Sequence, residues 1–240
     1  MNIIITMAGL GSRFKKAGYT VPKYMIDVKG KNLFEWSMLS LVNFNKKCNP
    51  KYIFVVRKED NSKNFILNEV NKIGIKDINI IELDSLTDGQ ATSALLAKKY
   101  WNEDEEMIVY NIDTFVEPDV MKYSDVSGDG FIPCFNAKGD HWSFVKLDNN
   151  GNAIEVREKN RISDNCTIGL YYFKSCRLYE EIYNEYYKDN NNLEKNEKYI
   201  APLYNYMISK GLSVRISNIP VEKVHVLGTP EEVEEFRRLN

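Results

Sequence analysis

The first half of the chain alternates between short apolar runs, typical of buried strands, and apolar residues at helical spacing. Residues 2–7, rich in β-branched isoleucine, predict a buried strand that enters a glycine-containing loop at residues 8–12. The same patterns predict three more strands with helices between them: strands at 52–56, 78–83 and 107–112, and helices beginning at Asn32 and spanning 61–73 and 90–101. This order of elements predicts parallel strands connected by helices.

The second half has a different pattern. Residues 131–135, 144–147 and 153–156 predict an antiparallel insertion, with a turn at 148–151. Four elements are expected after it: a strand at 168–173, a helix ending near 187, a helix at 199–209 after an Asn-rich loop, and a short helix that starts at the capping sequence 229–232. The predicted fold class is α/β, a Rossmann-like, mostly parallel mixed sheet with helices on both faces and a small antiparallel insertion. We expect one domain, 1–240.

Composition narrows the function classes. Of the 240 residues 43% are hydrophobic and 28% charged, as in ordinary globular proteins. With 32 basic and 34 acidic side chains the net charge is −2, so no bulk positive field favours a nucleic-acid partner. No apolar stretch is long enough for membrane insertion, the N-terminus lacks an export pattern, and the four cysteines are widely spaced. These features predict a cytoplasmic protein with reduced thiols.

The loop after the first strand is the first candidate for chemistry. Gly9 and Gly11 would let backbone N–H groups approach a phosphate, and Arg13 and Lys23 would supply cations for a triphosphate. The loop lacks the third glycine of the dinucleotide fingerprint and the Gly-Lys-Ser/Thr ending of a P-loop. Taken alone, the glycines are equally explained by a tight turn and the cations by a solvated surface.

Three segments together resemble a known family. Residues 7–14 (MAGLGSRF), 22–23 (PK) and 26–31 (IDVKGK) are similar to the N-terminus of the sugar-nucleotide pyrophosphorylases, or nucleotidyltransferases, whose short single-domain members include cytidylyltransferases. The resemblance implies that a phosphate monoester attacks the α-phosphorus of a nucleoside triphosphate and releases pyrophosphate, with Mg²⁺ or Mn²⁺ as cofactor. It also implies a nucleotide-binding half, 1–115, and an acceptor-binding half, 116–240.

The resemblance assigns roles in the nucleotide-binding half residue by residue. The loop residues expected to wrap the base and triphosphate are Ala8, Gly9, Leu10, Gly11 and Ser12. Arg13 would steady the pyrophosphate, and Lys23 would bridge phosphates as a catalytic residue. Asp88, Gly89 and Gln90 match a turn that reads the base, although Asp88 and Gln90 are equally explained as helix caps. Because a glutamine amide both donates and accepts, Gln90 favours CTP or UTP.

Metal binding is assigned to Asp113, which follows the strand at 107–112 and resembles the family's metal aspartate. One carboxylate with phosphate oxygens is chemically adequate for Mg²⁺, and Glu117 is a competing ligand. Many relatives carry a second metal aspartate just before the late Gly-Thr, but residues 224–230 (VHVLGTP) have no carboxylate there. Glu222, His225 or no protein group at all would take that place; the sequence leaves the choice open.

The acceptor side is expected around Glu158 and Lys159, a pair that resembles the family's Glu-Lys, with Lys159 as the catalytic contact to the acceptor phosphate. Further acceptor-binding residues are assigned: Asn111, Trp142, Gly169 and Tyr171, with Tyr199 beside them. By themselves the charged pair is typical of an exposed hairpin edge and the aromatic side chains of core packing.

The leading hypothesis is therefore a nucleotidyltransferase that activates a sugar phosphate or small phosphorylated alcohol for capsule or other surface-polysaccharide synthesis. A nucleotide-binding sensor or scaffold without turnover is the alternative, supported by the missing late aspartate. A NAD-dependent oxidoreductase is disfavoured by the incomplete glycine pattern. The partners expected are a nucleoside triphosphate and a phosphate monoester, and a homo-oligomer is compatible with the sequence.

Overall fold

The computed structural model describes residues 1–239. The strands are β1 Asn2–Thr6, β2 Asp27–Val28, β3 Lys31–Asn32, β4 Lys51–Arg57, β5 Ile78–Leu83, β6 Met107–Asn111, β7 Thr114–Val116, β8 Gly130–Phe135, β9 Ser143–Leu147, β10 Ala153–Glu158, β11 Cys166–Thr167, β12 Leu170–Phe173, β13 Val214–Asn218 and β14 Val224–Val226. The α-helices are α1 Ser12–Lys16, α2 Leu33–Leu39, α3 Val42–Cys48, α4 Lys63–Lys72, α5 Gln90–Leu95, α6 Cys176–Tyr186, α7 Leu203–Ser209 and α8 Pro230–Arg238.

Ten strands form one mixed sheet in the order β10-β9-β11-β8-β12-β6-β1-β4-β5, with β13 paired to β8. The pairs β5–β4, β4–β1 and β1–β6 are parallel, as expected for strands connected by helices. From β12 onwards the pairing becomes antiparallel, apart from the parallel β13–β8 pair. The predicted α/β class with a mixed sheet is confirmed, and the strands predicted as an antiparallel insertion extend this same sheet.

The helices lie on both faces of the sheet because side chains along a buried strand point alternately to opposite faces. In β1, Ile4 packs in a core with α5, α6 and α7, whereas Ile3 and Ile5 pack in a second core with α2, α3 and α4. All three isoleucines are fully buried, and each contributes about 2 kcal/mol of hydrophobic stabilisation. The continuous apolar run in the sequence therefore reflects burial on both faces.

A third, smaller core holds α8 and α1 beside the carboxyl edge of the sheet. Phe14 of α1, Phe115 of β7 and Phe236 of α8 are buried in it. The strand pair β7–β14 sits next to this core and sets Thr114 opposite Val226. As a result, the C-terminal helix is anchored close to the loops that follow β1 and β6.

Several elements differ from the sequence-based expectation. The helix predicted over 90–101 ends at Leu95 and continues as a 3₁₀ turn over Leu96–Lys99, and the strand predicted at 168–173 is interrupted at Gly169. The elements β7, β13 and β14 and the helices α1 and α3 were not predicted. The three strands are three to five residues long, and so short a segment is stabilised by its partner strand more than by its own pattern.

Candidate active site

The predicted site residues gather at the carboxyl ends of β1 and β6. Thr6 and Asn111 are the last residues of these parallel neighbours and lie opposite each other in register. The glycine loop follows the first strand and Asp113 follows the second. Ligands of open α/β sheets bind in the crevice at this edge, where strands stop and loops diverge.

Three cavities lie side by side along this edge. The loop cavity, of about 290 Å³, lies between the glycine loop and the residues after β4. The central cavity, of about 350 Å³, lies between the glycine loop and the start of α5. The hairpin cavity, of about 190 Å³, is lined by side chains of β9, β10 and β11. Gln90, Asn111 and Asp113 line both the central and the hairpin cavities, so these two spaces meet at the three residues.

Lys23 and Asp113 form the ionic contact at this junction. Nζ of Lys23 lies 2.8 Å from Oδ2 of Asp113, and both side chains remain partly exposed. The 3₁₀ turn Lys23–Met25 places the lysine, and Pro22 immediately precedes it. An amine and a carboxylate that share one contact at a cavity wall are suited to bind phosphate oxygens and a divalent cation respectively.

The position of the Lys23 turn is set by a buried network behind it. The hydroxyl of Tyr24 donates a hydrogen bond to Asp60 at 3.3 Å, and Asp60 is paired with the buried guanidinium of Arg57. Arg57 is only 5% exposed and is paired with Glu59 as well, so two carboxylates compensate its buried charge. The glycine-loop side of the site therefore depends on residues at the end of β4 that no motif indicated.

Most of the predicted nucleotide-binding residues line these cavities. Ala8, Gly9, Leu10, Gly89 and Gln90 line the central cavity, and Gly11 lines the loop cavity. Gly11 has a φ of 61°, a left-handed conformation that glycine adopts without a Cβ penalty. Ser12 lines none of the three cavities and is the first residue of α1.

Gln90 links the two central strands. Its Nε2 donates to Oγ1 of Thr6 at 2.9 Å and to Oδ1 of Asn111. The side chain lies in the central cavity, as expected for a base-reading residue, but its amide nitrogen is engaged by protein groups. Within residues 1–239, no protein group donates a hydrogen bond to the carbonyl oxygen of this side chain, Oε1.

Asp88 lines none of the three cavities, and its side chain is bonded to other protein groups. Its carboxylate lies 2.7 Å from Nζ of Lys198 and accepts a hydrogen bond from Thr92 one helical turn later. Partial burial by itself would raise the pKa of Asp88, but these two hydrogen bonds outweigh it and the pKa is lowered. The alternative interpretation of Asp88 as a helix cap is wrong, because Gly89 is the N-cap residue of α5 and the Asp88 carboxylate bonds to the Thr92 hydroxyl and to Lys198.

The segment at 197–199, here called the strap, closes over the turn at 88–90, the predicted base-reading turn. The backbone N–H of Lys198 donates to the carbonyl of Asp88 at 2.8 Å, and its carbonyl accepts from Ala91 N–H at 3.0 Å. A Cβ at Gly89 would lie 2.3 Å from the carbonyl oxygen of Lys198, so no larger residue fits there. Glycine is therefore required at 89 by backbone contact from the strap.

The predicted acceptor residues converge on the hairpin cavity. Those that line it are Asn111, Trp142, Glu158, Gly169 and Tyr171, with Tyr199 beside them. Gly169 is required there because a Cβ would lie 2.6 Å from Nδ2 of Asn111. Sequence reasoning missed Ser143 and Thr167, whose side chains also line the cavity. Their only sequence signal is their place on predicted or adjoining strands.

A hydrogen-bond network fixes this wall of the hairpin cavity. Ser143 bonds to Oε2 of Glu158, and the Tyr171 hydroxyl lies 3.2 Å from Ser143 Oγ and 3.1 Å from Thr167 Oγ1. Burial raises the pKa of Tyr171, so its hydroxyl stays protonated and available as a donor. The cavity thus presents hydroxyl groups and one carboxylate in fixed positions.

Lys159 stands at the edge of this network and not in the cavity lining. Its Nζ donates to the hydroxyl of Tyr199 at 2.8 Å and lies 3.4 Å from Glu158. Burial by itself would lower its pKa, but the Tyr199 hydrogen bond and the Glu158 charge more than offset this and the pKa is raised. Its backbone has a φ of 52°, which is uncommon for a non-glycine residue, and its backbone N–H donates to the carbonyl oxygen of Trp142 at 2.8 Å.

Arg13 lies at the rim of the hairpin cavity and is exposed. The candidate second metal ligands lie elsewhere. Glu222 is exposed in the turn before β14. His225 stacks on Phe115 at 5.3 Å and faces Glu117 at 3.5 Å, and burial lowers its pKa despite that carboxylate. Neither Glu222, His225 nor Glu117 lines a cavity with Asp113.

Comparison with solved structures identifies the family. A nucleoside-diphosphate-sugar pyrophosphorylase from Vibrio cholerae is 37% identical to this chain, with a TM-score of 0.91 and coverage of 100% of both chains. This chain belongs to the nucleoside-diphosphate-sugar pyrophosphorylase family. No protein-family model and no curated protein matches it. As a member of this family it is an enzyme of the nucleotidyltransferase type, and the oxidoreductase alternative does not fit.

Two more distant structures share the pyrophosphorylase fold. The inositol-1-phosphate CTP transferase from T. maritima is 15% identical, with a TM-score of 0.75 over 96% of this chain and 90% of that one. A structure assigned to glucose-1-phosphate thymidylyltransferase from Bacillus anthracis is 16% identical, with a TM-score of 0.75 over 100% and 96%. Within residues 1–239, no helix combines the length and the apolar character that a membrane span requires.

Proposed function

We propose that this enzyme transfers a nucleoside monophosphate from a nucleoside triphosphate to a sugar phosphate or small phosphorylated alcohol. An oxygen of the monoester forms a bond to the α-phosphorus, the bond from that phosphorus to the bridging oxygen breaks, and pyrophosphate leaves. The observation that carries the proposal is the junction of the central and hairpin cavities at Gln90, Asn111 and Asp113. A triphosphate along the glycine loop and a monoester in the hairpin cavity would face each other there.

Cations and one carboxylate support this reaction at the junction. Lys23 would offset the charge that develops on the leaving pyrophosphate, and Arg13 would add to it from the rim of the hairpin cavity. Asp113 fits a Mg²⁺ or Mn²⁺ ion, because such ions are bound by one or two carboxylates together with substrate phosphates. When bound, the ion would neutralise phosphate charge. Lys159 would position the acceptor phosphate.

For the base we favour CTP or UTP. Both hydrogen bonds of the Gln90 side chain use Nε2, so Oε1 is the atom that would accept from N3–H of uracil or the amino group of cytosine. Leu10 and Leu86 line the same cavity and would pack on the faces of a base. We further propose a cytoplasmic enzyme that supplies activated donors for capsule or surface-polysaccharide synthesis, since NDP-linked products are donors for glycosyl or related transfer.

The test is pyrophosphate release from each ribonucleoside triphosphate with Mg²⁺, with and without a panel of sugar 1-phosphates and phosphorylated alcohols. We expect release only when an acceptor is present, and faster release with CTP or UTP. Asp113→Asn should abolish the metal-dependent rate, whereas Lys16→Ala should not change it, because Lys16 is exposed and lines none of the three cavities. Absence of release with every pair would refute the proposal.

A member of this enzyme family that has lost turnover and acts as a sensor is the second candidate, favoured by one observation. Residues 224–230 contain no carboxylate, and Val226 of this segment lines the hairpin cavity. If the sensor hypothesis is right, thermal-shift titration should show tight triphosphate binding with no pyrophosphate release for any acceptor. Acceptor-dependent release would exclude it.

A further inference from the structure

One carboxylate of the hairpin cavity has no role in the reaction proposed for the site. Glu232 lies in the first turn of α8 and lines the cavity together with Asp113. Its Oε2 atom is buried and makes no hydrogen bond with any residue in 1–239. A buried carboxylate oxygen without a donor is energetically costly, and because Glu232 lines a cavity, a ligand there can supply the missing partner.

Helix capping does not account for this side chain. Thr229 caps α8 in the expected way, because its Oγ1 accepts from the backbone N–H of Glu232 at 3.1 Å. In a capping box, the glutamate carboxylate would in return accept from the backbone N–H of the N-cap residue. That reciprocal bond is absent among residues 1–239, and the oxygen points instead towards Gly228. The T-P-E-E pattern therefore explains the start of α8 but not the carboxylate.

Glu232 and Asp113 both lie beside Gly228. A Cβ placed on Gly228 would lie 3.5 Å from Oε2 of Glu232 and 3.6 Å from Oδ2 of Asp113. The two oxygens are therefore no more than about 7 Å apart, and the Asp113 oxygen is the one that Lys23 contacts. Val226 lines the same cavity from β14.

We propose that Glu232 is the second carboxylate facing the divalent cation, beside Asp113 in the hairpin cavity. The two carboxylates reach the same space from different elements, Asp113 from the end of β6 and Glu232 from the first turn of α8. A pair of carboxylate oxygens is the donor set that Mg²⁺ and Mn²⁺ prefer, with phosphate and water oxygens completing the shell. This inference rests on the proposed function for the identity of the cation.

The test measures Mn²⁺ binding directly, by electron paramagnetic resonance of free Mn²⁺ during titration with MnCl₂, with and without inorganic pyrophosphate. Glu232→Gln should raise the Mn²⁺ Kd about tenfold or more, comparable to a strong loss of metal-site support. The matched control is Glu231→Gln, which removes an equal charge from the same first turn of α8 at an exposed position. It should leave the Kd within about twofold, since surface charges contribute little.

Equal Mn²⁺ affinity in the wild type and in Glu232→Gln would overturn the inference, and so would an equal loss in both variants. If Glu232→Gln fails to fold by circular dichroism, Glu232→Asp serves instead, since it keeps the charge but shortens the reach. A Kd raised several-fold supports the inference, and an unchanged Kd overturns it. Mn²⁺ binding does not require turnover. A wild type that releases no pyrophosphate therefore refutes the proposed function alone, whatever the titration shows.

Discussion

The two sides of the active site are built in different ways. On the nucleotide side, groups come from loops that directly follow β1 and β6, and their side chains and backbone amides are largely open to solvent. On the acceptor side, groups come from β9, β10, β11 and β12, and they are already bonded to one another through Ser143, Glu158, Tyr171 and Thr167.

For the substrates that we propose, this difference predicts how each side gains specificity. A flexible polyanion such as a triphosphate is bound by charge and by accessible amides, which tolerate variation in pose. A small acceptor is distinguished by hydroxyl groups in fixed positions, which requires a prearranged network. The strap joins the two sides, since Lys198 contacts the base-reading turn and Tyr199 contacts Lys159.

The largest expected effect follows from removing a cation on the nucleotide side. Lys23→Ala should lower kcat by about 100-fold or more, because a group that stabilises transition-state charge contributes several kcal/mol. Pyrophosphate release under saturating substrates measures it, with Lys16→Ala as the charge-matched control. A kcat within threefold of the wild type would contradict the role of Lys23 at the leaving pyrophosphate.

The next prediction concerns the contact between Gly89 and the strap, which connects the two sides. Gly89→Ala should destabilise the fold by about 3 kcal/mol, because the new Cβ meets the Lys198 backbone in a conformation with a φ of 146°. Urea unfolding measures the change. Gly151→Ala is the control: its φ is also positive, but nothing lies within 4 Å of its Cβ, so ~1 kcal/mol is expected. Equal losses at both sites would show that the strap contact is unimportant.

A third prediction separates the two substrates. Lys159→Ala should raise KM for the acceptor about tenfold and leave KM for the triphosphate nearly unchanged, since its ammonium lies beside the hairpin cavity and not the central one. Steady-state kinetics with each substrate varied in turn provide the measurement. Arg157→Ala, on the exposed edge of the same strand, should change neither constant. A similar rise in both KM values would contradict the proposed role of Lys159 in binding the acceptor.

The smallest effect concerns pH. The pKa of Lys159 is raised by Tyr199 and Glu158 beyond the opposing effect of burial, so the lysine keeps its charge at pH values where an ordinary lysine begins to lose it. Its contribution to binding and stability is present below the ordinary lysine pKa and is lost as pH rises through the raised one. Tyr199→Phe should move the alkaline rise of acceptor KM to lower pH, with a change of about threefold or less at neutral pH. An unshifted profile would show that Tyr199 does not support the lysine charge.

Sequence reasoning succeeded where a pattern is local. The isoleucine run of β1, the cap at Asn32 and the alanine face of α5 each follow from neighbours within one or two turns, and the structure confirms them. Asn111 and Gly169 lie in contact at the hairpin cavity. No local sequence pattern predicted this contact; the family resemblance did, because it assigned both residues to the acceptor site. Their roles in binding remain predictions.

The parts that were missed depend on distant pairing. Ser143 meets Tyr171, 28 residues away, only because β9 and β12 belong to one sheet, and the Lys198 contacts join segments more than a hundred residues apart. The alternatives for a second metal ligand were drawn from residues close to the late Gly-Thr in sequence. Glu232 was overlooked because its pattern already had an adequate explanation as a helix start.

The amino-acid order by itself determined which segments become strands and helices, where the chain turns, and which loop carries glycines and cations, since each of these depends on backbone preferences and the periodicity of a few consecutive residues. Only the tertiary structure decided which side chains share a cavity, that the carboxylates of Asp113 and Glu232 both lie beside Gly228, and that Gly89 cannot be replaced. Those properties arise from distances between segments remote in sequence, and such distances exist only once the sheet has paired and the cores have packed.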